Sequence, residues 1–332
     1  MLTGFCRCSK QKEVSDLKKF LHEDASSVNE AISLLEKNKG KAKLIAGGTD
    51  LLTVMKDKIN PTYPEVLVNI KDIPGLGLIK EEGGVLKIGS LALISNIAND
   101  ATVKNKYIAL AEAANKVATL HIRNMGTIGG NLCQETRCWY YRAPNNYFFC
   151  FRKGGLLCFA ATGDSRYNAI LGSEVCFAVF PGDTGVALTA LDATLVTTQR
   201  NIPIDDFFVV LGNVLEDNEI VTEIQVPEPK PGTKQAFLKF AARKSLDFAI
   251  ASVATAITVE AGTVADARIV LGGVAPYPYR ATDAEDALKG NAISESVAET
   301  AGAAAVKDAF PLSKNAYLVP ITKTLVKRAI LA

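Results

Sequence analysis

The stretch LIAGGTDLL, residues 44–52, joins a short apolar run to residues typical of a helix start. A second glycine-rich stretch, RNMGTIGGNLC, follows at residues 123–133. Glycine lets a backbone pass close to a bulky anion, and free N–H groups at a helix start can bind phosphate oxygens. Neither stretch matches GxGxxG or the P-loop. Together they suggest a long ligand with a pyrophosphate, but their spacing does not name it.

The residues around the first loop are typical of alternating helices and strands. Ser27 and Glu30 form a capping box, which predicts a helix that begins at Ser27 and ends at Gly40. Thr49 and Asp50 stand at the start of a second helix. Strands are predicted at 66–70 and 85–90, and a helix at 107–118. This α/β pattern is interrupted at residues 121–182.

Regular patterns return after that interruption. Residues 183–199 predict a helix followed by a strand, and PEPKPG at 227–232 is the best linker candidate. Beyond it, three strand patterns precede three helical segments, for which the simplest arrangement is a sheet with helices on one face. The strands are predicted at 237–245, 251–260 and 267–276, and the helices at 281–290, 294–310 and 321–332. A chain of 332 residues is expected to form two or three domains.

The bulk properties exclude several function classes. A net charge of +2 gives no reason to expect nucleic acid or an anionic membrane as a partner. No apolar run approaches the roughly 18–20 residues that cross a bilayer. The first twenty residues contain no apolar segment typical of a secretory signal, so a cytoplasmic location is predicted.

Cysteine is concentrated in the interrupted segment. Five of the seven cysteines lie between residues 133 and 176, and the other two, Cys6 and Cys8, lie in a polar leader to which we assign no role. A cytosolic chain is not expected to use them as a disulfide framework. No CxxC pair occurs, which weighs against a zinc ribbon. The spacing alone leaves an iron–sulfur cluster, zinc and unligated thiols open.

Five motifs along the chain carry a resemblance to a known family. They are IAGGTDLL, RNMGTIGGNL, PGD (181–183), EIVTEIQVP (219–227) and FLKFAARKS (237–245). Together they resemble the FAD-binding medium subunits of the molybdenum hydroxylases, the xanthine dehydrogenase and carbon monoxide dehydrogenase family. The resemblance implies an α+β fold of the PCMH (vanillyl-alcohol-oxidase-like) type. Two α/β FAD-binding subdomains would span residues 1–65 and 66–226. A C-terminal domain with a three-stranded sheet and a helical bundle would span 227–332.

The resemblance also implies which residues bind FAD, non-covalently. The first loop would wrap the pyrophosphate and ribose, and the second would bind the diphosphate and the flavin side. An aspartate would hold ribityl or adenosine hydroxyls, a valine would pack near the isoalloxazine ring, and a lysine would lie near its polar edge. These residues are Ile45, Ala46, Gly47, Gly48, Thr49, Asp50, Leu51, Thr127, Gly130, Asn131, Asp183, Val221 and Lys239.

The cysteine-rich segment, at about 133–180, is an insert relative to the simplest family members. It is similar to the insert of the 4-hydroxybenzoyl-CoA reductase flavin subunit and of some bacterial aldehyde oxidoreductases. The resemblance implies a [4Fe–4S] cluster with Cys133 as the spare thiol. Its ligands would be Cys138, Cys150, Cys158 and Cys176. Five cations could offset the charge of the cluster: Arg137, Arg142, Arg152, Lys153 and Arg166.

The implied function is electron transfer, and no catalytic residue is predicted in this chain. A molybdenum-cofactor large subunit and a [2Fe–2S] small subunit are the expected partners, with an external carrier such as ferredoxin. Two alternatives remain. One is an FAD subunit that passes electrons to NAD and has a purely structural insert. The other is a non-catalytic assembly module that binds zinc in the cysteine loop.

Overall fold

A computed structural model describes residues 17–243 and 246–332, so the two leader cysteines lie outside the described residues. The chain forms three units in order, which we call the first, second and third unit. Within the described residues, no helix has the length and apolarity that crossing a membrane requires. The predicted cytoplasmic location stays a prediction.

The first unit is a parallel sheet in the order β1-β3-β2. The predicted helix at Ser27 is confirmed, because the Ser27 side chain accepts a hydrogen bond from the Glu30 N–H at 3.2 Å. The Glu30 carboxylate reaches the Ser26 N–H at 2.8 Å rather than Ser27. The elements are β1 (Leu21–Asp24), α1 (Val28–Lys37), β2 (Ala42–Ile45), α2 (Leu51–Lys56) and β3 (Val66–Asn69).

The third strand of this sheet bears on the predicted subdomain boundary after residue 65. β3 pairs with β1 along its whole length and with β2 on its other side. The sheet therefore uses residues on both sides of that boundary. The predicted boundaries of the three domains stay predictions.

The second unit is built on an antiparallel sheet in the order β4-β5-β10-β6-β7. The predicted helix at 107–118 and the helix and strand at 183–199 are confirmed. All eight residues of the helix Asp183–Ala190 are buried. The strands are β4 (Ile79–Glu82), β5 (Val85–Gly89), β6 (Thr194–Thr197), β7 (Asn201–Pro203), β8 (Phe208–Val209), β9 (Gly212–Asn213) and β10 (Val221–Pro227). The helices are α3 (Ile94–Asn99), α4 (Ala101–Lys106), α5 (Ile108–Asn115), α6 (Leu120–Arg123), α7 (Ile128–Leu132), α8 (Phe159–Thr162), α9 (Asp183–Ala190) and α10 (Ile204–Phe207).

The third unit is an antiparallel sheet in the order β11-β12-β13-β14, followed by three helices. The three predicted strands are present, and the two-residue β14 adds a fourth at the edge. The strands are β11 (Thr233–Phe240), β12 (Ala251–Glu260), β13 (Thr263–Gly272) and β14 (Tyr279–Arg280). The helices are α11 (Thr282–Leu288), α12 (Glu295–Ala304) and α13 (Leu318–Leu331).

Helices cover both faces of this sheet, whereas the sequence predicts them on one. Val253 packs in the core formed with α11 to α13, and Ala254, the next residue of β12, packs in the core formed with α5 and α9. Successive strand residues point to opposite faces, so this alternation requires two covered faces. The second and third units therefore share a hydrophobic core.

The cysteine-rich insert contains little regular structure, as its sequence predicts. It consists of two short 3₁₀ turns, Pro144–Asn146 and Phe151–Lys153, and the helix α8. It leaves the second unit after α7 and returns to it at α9.

Candidate functional site

The two glycine loops lie against each other. A Cβ atom on Gly47 would lie 2.1 Å from the Met125 carbonyl oxygen, so only glycine fits there. Gly48 adopts φ +67°, a conformation that favours glycine. A Cβ atom on Gly126 would lie 3.7 Å from the Thr49 hydroxyl. Segments almost eighty residues apart in sequence therefore form one surface, because the absence of a side chain at Gly47 lets the two loop backbones pack directly against each other.

The second loop is tied to the start of α9. Thr127 caps α7, and its side chain accepts a hydrogen bond from the Gly130 N–H at 3.2 Å. The Asn131 side-chain oxygen accepts a hydrogen bond from the Thr184 hydroxyl at 2.6 Å. Three predicted cofactor residues therefore lie next to the helix that begins with a fourth, Asp183.

Asp183 and Lys239 form a buried ion pair. The Lys239 ammonium lies 2.7 Å from the Asp183 carboxylate, and the two side chains are 8% and 6% exposed. Lys239 also donates to the Lys116 carbonyl at 3.0 Å. Burial raises the pKa of the Asp183 carboxyl, and the Lys239 charge opposes that rise. The pair joins α9 of the second unit to β11 of the third.

Two other predicted cofactor residues lie in unexpected surroundings. Val221 is buried in the core shared by the second and third units, at the start of β10. Asp50 precedes α2, but its side chain makes no capping hydrogen bond. The predicted FAD contacts of both residues stay predictions.

The Asp50 carboxylate instead binds the insert. It accepts hydrogen bonds from the Glu135 N–H at 2.8 Å and from the Arg142 guanidinium at 2.7 Å. The Arg137 guanidinium lies 3.0 Å from the same carboxylate. We call this group the Asp50 strap, because it joins the first glycine loop to the insert. The excess of arginine at the start of the insert is the sequence signal that could have indicated it.

The insert brings four cysteines to one small cavity. Cys138, Cys150, Cys158 and Cys176 line it together with Tyr140, Tyr141, Phe151, Arg152, Phe159, Ala160 and Ala178. All four are free thiols, and Cys133 is an exposed thiol outside the cavity. In residues 17–243 and 246–332, no three His, Cys, Asp or Glu side chains converge closely enough to hold a metal ion. The four thiols therefore surround a space rather than meet at one point.

A tight turn brings Cys150 and Cys158 together. The Cys150 carbonyl accepts hydrogen bonds from the Lys153 N–H at 2.8 Å and the Gly155 N–H at 2.9 Å. Gly154 has φ +88°, and a Cβ atom on Gly155 would lie 2.0 Å from the Phe149 carbonyl oxygen. Both glycines are thus required for the chain to reverse between the two cysteines.

Hydrogen-bond donors surround two of the sulfurs. Burial raises the pKa of the Cys138 thiol, and the N–H groups of Tyr140 and Tyr141 act in the opposite direction. Burial likewise raises the pKa of Cys176, against the N–H of Ala178. Such donors stabilise thiolates and the sulfurs of metal clusters.

The five cations of the insert differ in whether a carboxylate lies near them. Arg137 and Arg142 belong to the Asp50 strap, and Arg166 pairs with Asp164 at 2.9 Å. Arg152 lines the cysteine cavity, and its guanidinium lies 3.9 Å from the Glu135 carboxylate. Lys153 is 5% exposed, and its ammonium has no hydrogen-bond partner among the described residues.

Comparison with known proteins identifies the family. The family model of the FAD binding domain in molybdopterin dehydrogenase matches residues 18–229. The family model of the CO dehydrogenase flavoprotein C-terminal domain matches residues 236–332. The chain belongs to this flavoprotein family. The predicted family and the predicted fold class are therefore confirmed, and the chain is an oxidoreductase subunit.

Individual relatives agree with this assignment. The aldehyde oxidoreductase FAD-binding subunit PaoB of Escherichia coli (strain K12) is 33% identical over 323 residues, covering 92% of this chain and 96% of PaoB. The carbon monoxide dehydrogenase medium chain of Hydrogenophaga pseudoflava is 30% identical over 317 residues, covering 94% and 96%. A solved carbon monoxide dehydrogenase structure from that organism superposes with a TM-score of 0.77 at 29% identity, covering 96% of this chain and 98% of that one.

Proposed function

We propose that this chain is the FAD- and [4Fe–4S]-containing electron-transfer subunit of a molybdenum hydroxylase-type complex. It would exchange electrons with a molybdenum-cofactor large subunit and a [2Fe–2S] small subunit, and with an external one-electron carrier such as ferredoxin. When bound, FAD joins a two-electron couple to one-electron carriers, and the cluster carries single electrons. The observation that carries the proposal is the set of four cysteines around one cavity, joined to the flavin loops by the Asp50 strap.

The flavin loops would hold the pyrophosphate of FAD through backbone N–H groups. Gly47 and Gly48 allow the close backbone approach, and Thr127 orients the start of α7. The Asp183–Lys239 pair would face the ribityl and the polar edge of the ring. Because that pair is buried and fixed by α9 and β11, it would orient the cofactor without moving.

The cysteine cavity has the donor set that a [4Fe–4S] cluster requires. Such a cluster takes one thiolate for each of four irons, so its ligands surround a volume instead of a single point. Four thiols around a shared cavity, with N–H donors near Cys138 and Cys176, fit this requirement. Cys133 is exposed and outside the cavity, which supports its exclusion from the ligand set.

The charges around the cavity support the same proposal. Arg152 lines the cavity, whereas Lys153 is buried with no hydrogen-bond partner for its ammonium among the described residues, and burying a cation without an anion is costly. A cluster held by four thiolates carries net negative charge. It would supply the anion that Lys153 lacks among the described residues.

The test of the cluster is the visible absorption and EPR spectrum of the purified chain. We expect flavin bands together with the broad absorption of an iron–sulfur cluster, and an EPR signal after anaerobic reduction. Cys176→Ser should abolish that signal and retain FAD, whereas Cys133→Ser should retain both. An unchanged signal in Cys176→Ser would contradict the ligand assignment. Flavin without iron would favour the NAD-linked alternative, and a colourless zinc protein would favour the assembly module.

The test of the flavin site is Gly47→Ala. The added methyl group would overlap the Met125 carbonyl and separate the two glycine loops. We expect FAD affinity, measured by fluorescence titration, to fall by roughly tenfold or more, which is about 1.4 kcal/mol. Gly77→Ala is the matched control, because a Cβ atom there has no neighbour within 4 Å. Equal affinity in the two variants would contradict the assignment of the loops.

A further inference from the structure

Lys153 lies where a lysine is costly. Its side chain is buried, and its ammonium has no hydrogen-bond partner among the described residues. The ammonium lies 5.4 Å from the centre of the Tyr141 ring, which attracts a cation but does not replace its hydration. Removing an ammonium from water without a compensating anion is strongly unfavourable. Some feature of this site must therefore favour its charge.

The favourable charge does not come from nearby carboxylates. Lys153 lines a groove together with Lys41, Lys43 and Arg152, and among the described residues Glu135 is the one acidic residue along its walls. The Glu135 carboxylate lies 3.9 Å from the Arg152 guanidinium, which already offsets it. This side of Lys153 is therefore net positive.

The cysteines lie on the other side. The Lys153 ammonium lies against the Tyr141 ring, and the Lys153 N–H donates to the Cys150 carbonyl. Tyr141 and Cys150 both line the cysteine cavity. Negative charge in that cavity is thus the compensation that the position of Lys153 requires.

The position of the Lys153 side chain is fixed by its surroundings. The Lys153 N–H donates to the Cys150 carbonyl at 2.8 Å, and the left-handed Gly154 ends the turn. The Tyr141 hydroxyl donates to Asn60 at 2.8 Å, which holds the ring against the lysine. A fixed charge in a poorly solvated site acts strongly on a neighbouring redox centre. Arg152 differs, because the Val210 and Leu211 carbonyls accept hydrogen bonds from it at 2.8 and 3.1 Å.

We propose that Lys153 is a positioning residue that sets the reduction potential of the cluster. Reduction adds one electron to the cluster and makes it more negative, with no bond or proton transferred. The fixed positive charge of Lys153 therefore stabilises the reduced form and raises the potential. This inference rests on the proposed cluster.

The test is an anaerobic redox titration of the full chain at one pH, followed by EPR. Lys153→Met should lower the ratio of reduced to oxidised cluster at fixed potential at least tenfold, a shift of about 59 mV for one electron. Lys153→Arg should stay within about threefold of the wild type, or roughly 30 mV by the same constant. Lys43→Met removes an exposed lysine from the same groove and should also stay within that limit. The flavin potential should not change in any variant.

The outcomes separate this inference from the proposed function. If Lys153→Met shifts the potential no more than Lys43→Met while the EPR signal persists, Lys153 does not set the potential and the cluster assignment survives. If the wild type has no iron–sulfur signal, the proposed function fails first. If Lys153→Met loses its cluster, Lys153→Gln carries the same expectation. Loss of the cluster in both variants, with Lys153→Arg intact, would show a structural requirement and overturn the potential-setting role.

Discussion

Lys239 and Lys153 both have buried side chains, and they differ in what faces the ammonium. Lys239 lies 2.7 Å from the buried Asp183 carboxylate. The Lys153 ammonium has no hydrogen-bond partner among the described residues and lies beside the cysteine cavity. The chain itself therefore balances the charge of Lys239. In the insert, the proposed cluster would supply the anion that Lys153 lacks among the described residues.

This difference teaches how the two sites depend on their cofactors. An ion pair made by the chain holds its geometry whether or not a cofactor is bound. A lone buried cation destabilises the chain until an anion arrives. We therefore expect the insert, more than the flavin loops, to depend on its cofactor for stability.

The largest expected effect comes from breaking the balanced pair. Asp183→Asn keeps the shape of the side chain but leaves the Lys239 ammonium buried without its anion. The free energy of unfolding, measured by urea denaturation, should fall by about 3–5 kcal/mol. Asp164→Asn is the control, because it breaks a more exposed pair with Arg166, and its effect should be small. Equal effects of the two changes would show that the buried pair does not stabilise the chain.

The second-largest effect is that of Lys153→Met on stability, and its sign should differ between the iron-free and the iron-reconstituted chain. In the iron-free chain, Lys153→Met removes an uncompensated charge and should raise the free energy of unfolding by about 1–3 kcal/mol. In the iron-reconstituted chain, the same change removes the partner of an anion and should lower it. Urea denaturation before and after anaerobic reconstitution measures both. A change of the same sign in both states would remove the contrast between the two lysines.

The third effect concerns the strap between the two regions. Asp50→Asn weakens the contacts of the carboxylate with Arg137, Arg142 and the Glu135 N–H. We expect a loss of about 1–3 kcal/mol in the free energy of unfolding. FAD and iron content should fall together, because both regions lose their common support. Asp57→Asn is the control, since the Asp57 carboxylate has no hydrogen bond or ion pair among the described residues. Loss of only one cofactor would show that the regions are independent.

The smallest effect concerns the pH dependence of stability, and it tests a second ion pair, between Glu219 and Arg200. Burial alone would raise the pKa of Glu219, but hydrogen bonds from Arg200, Thr197 and the Glu216 N–H lower it below its ordinary 4.5. As the pH falls, the Glu219 carboxyl therefore binds a proton in the unfolded chain before it does so in the folded chain. The stability that ionised Glu219 contributes above pH 4.5 is lost below that pH. Glu219→Gln should flatten the stability profile on the acid side. An unchanged acid slope would contradict this role.

Several features were predictable because they depend on neighbours in sequence. The capping of α1 by Ser27 follows from residues three positions apart, and the helix and strand at 183–199 follow from local patterns. The family resemblance also singled out four cysteines and set Cys133 aside, and the structure brings those four to one cavity. Their role as ligands stays a prediction.

Other features were not predictable because they depend on contacts between distant segments. No local pattern indicates that β3 joins the first sheet, or that Val221 lies in the core shared by two units. The Asp50 strap joins residues more than eighty positions apart, where the sequence predicted a cofactor contact for Asp50.

The amino-acid sequence by itself determined the family, the fold class and the residue types available for chemistry. Only the tertiary structure decided which charges are compensated, because compensation depends on distance and burial. The sequence alone does not show which of the five cations of the insert has a carboxylate partner. Folding places four of them beside carboxylates and leaves Lys153 buried without one among the described residues, since an ion pair forms only where packing brings both partners together.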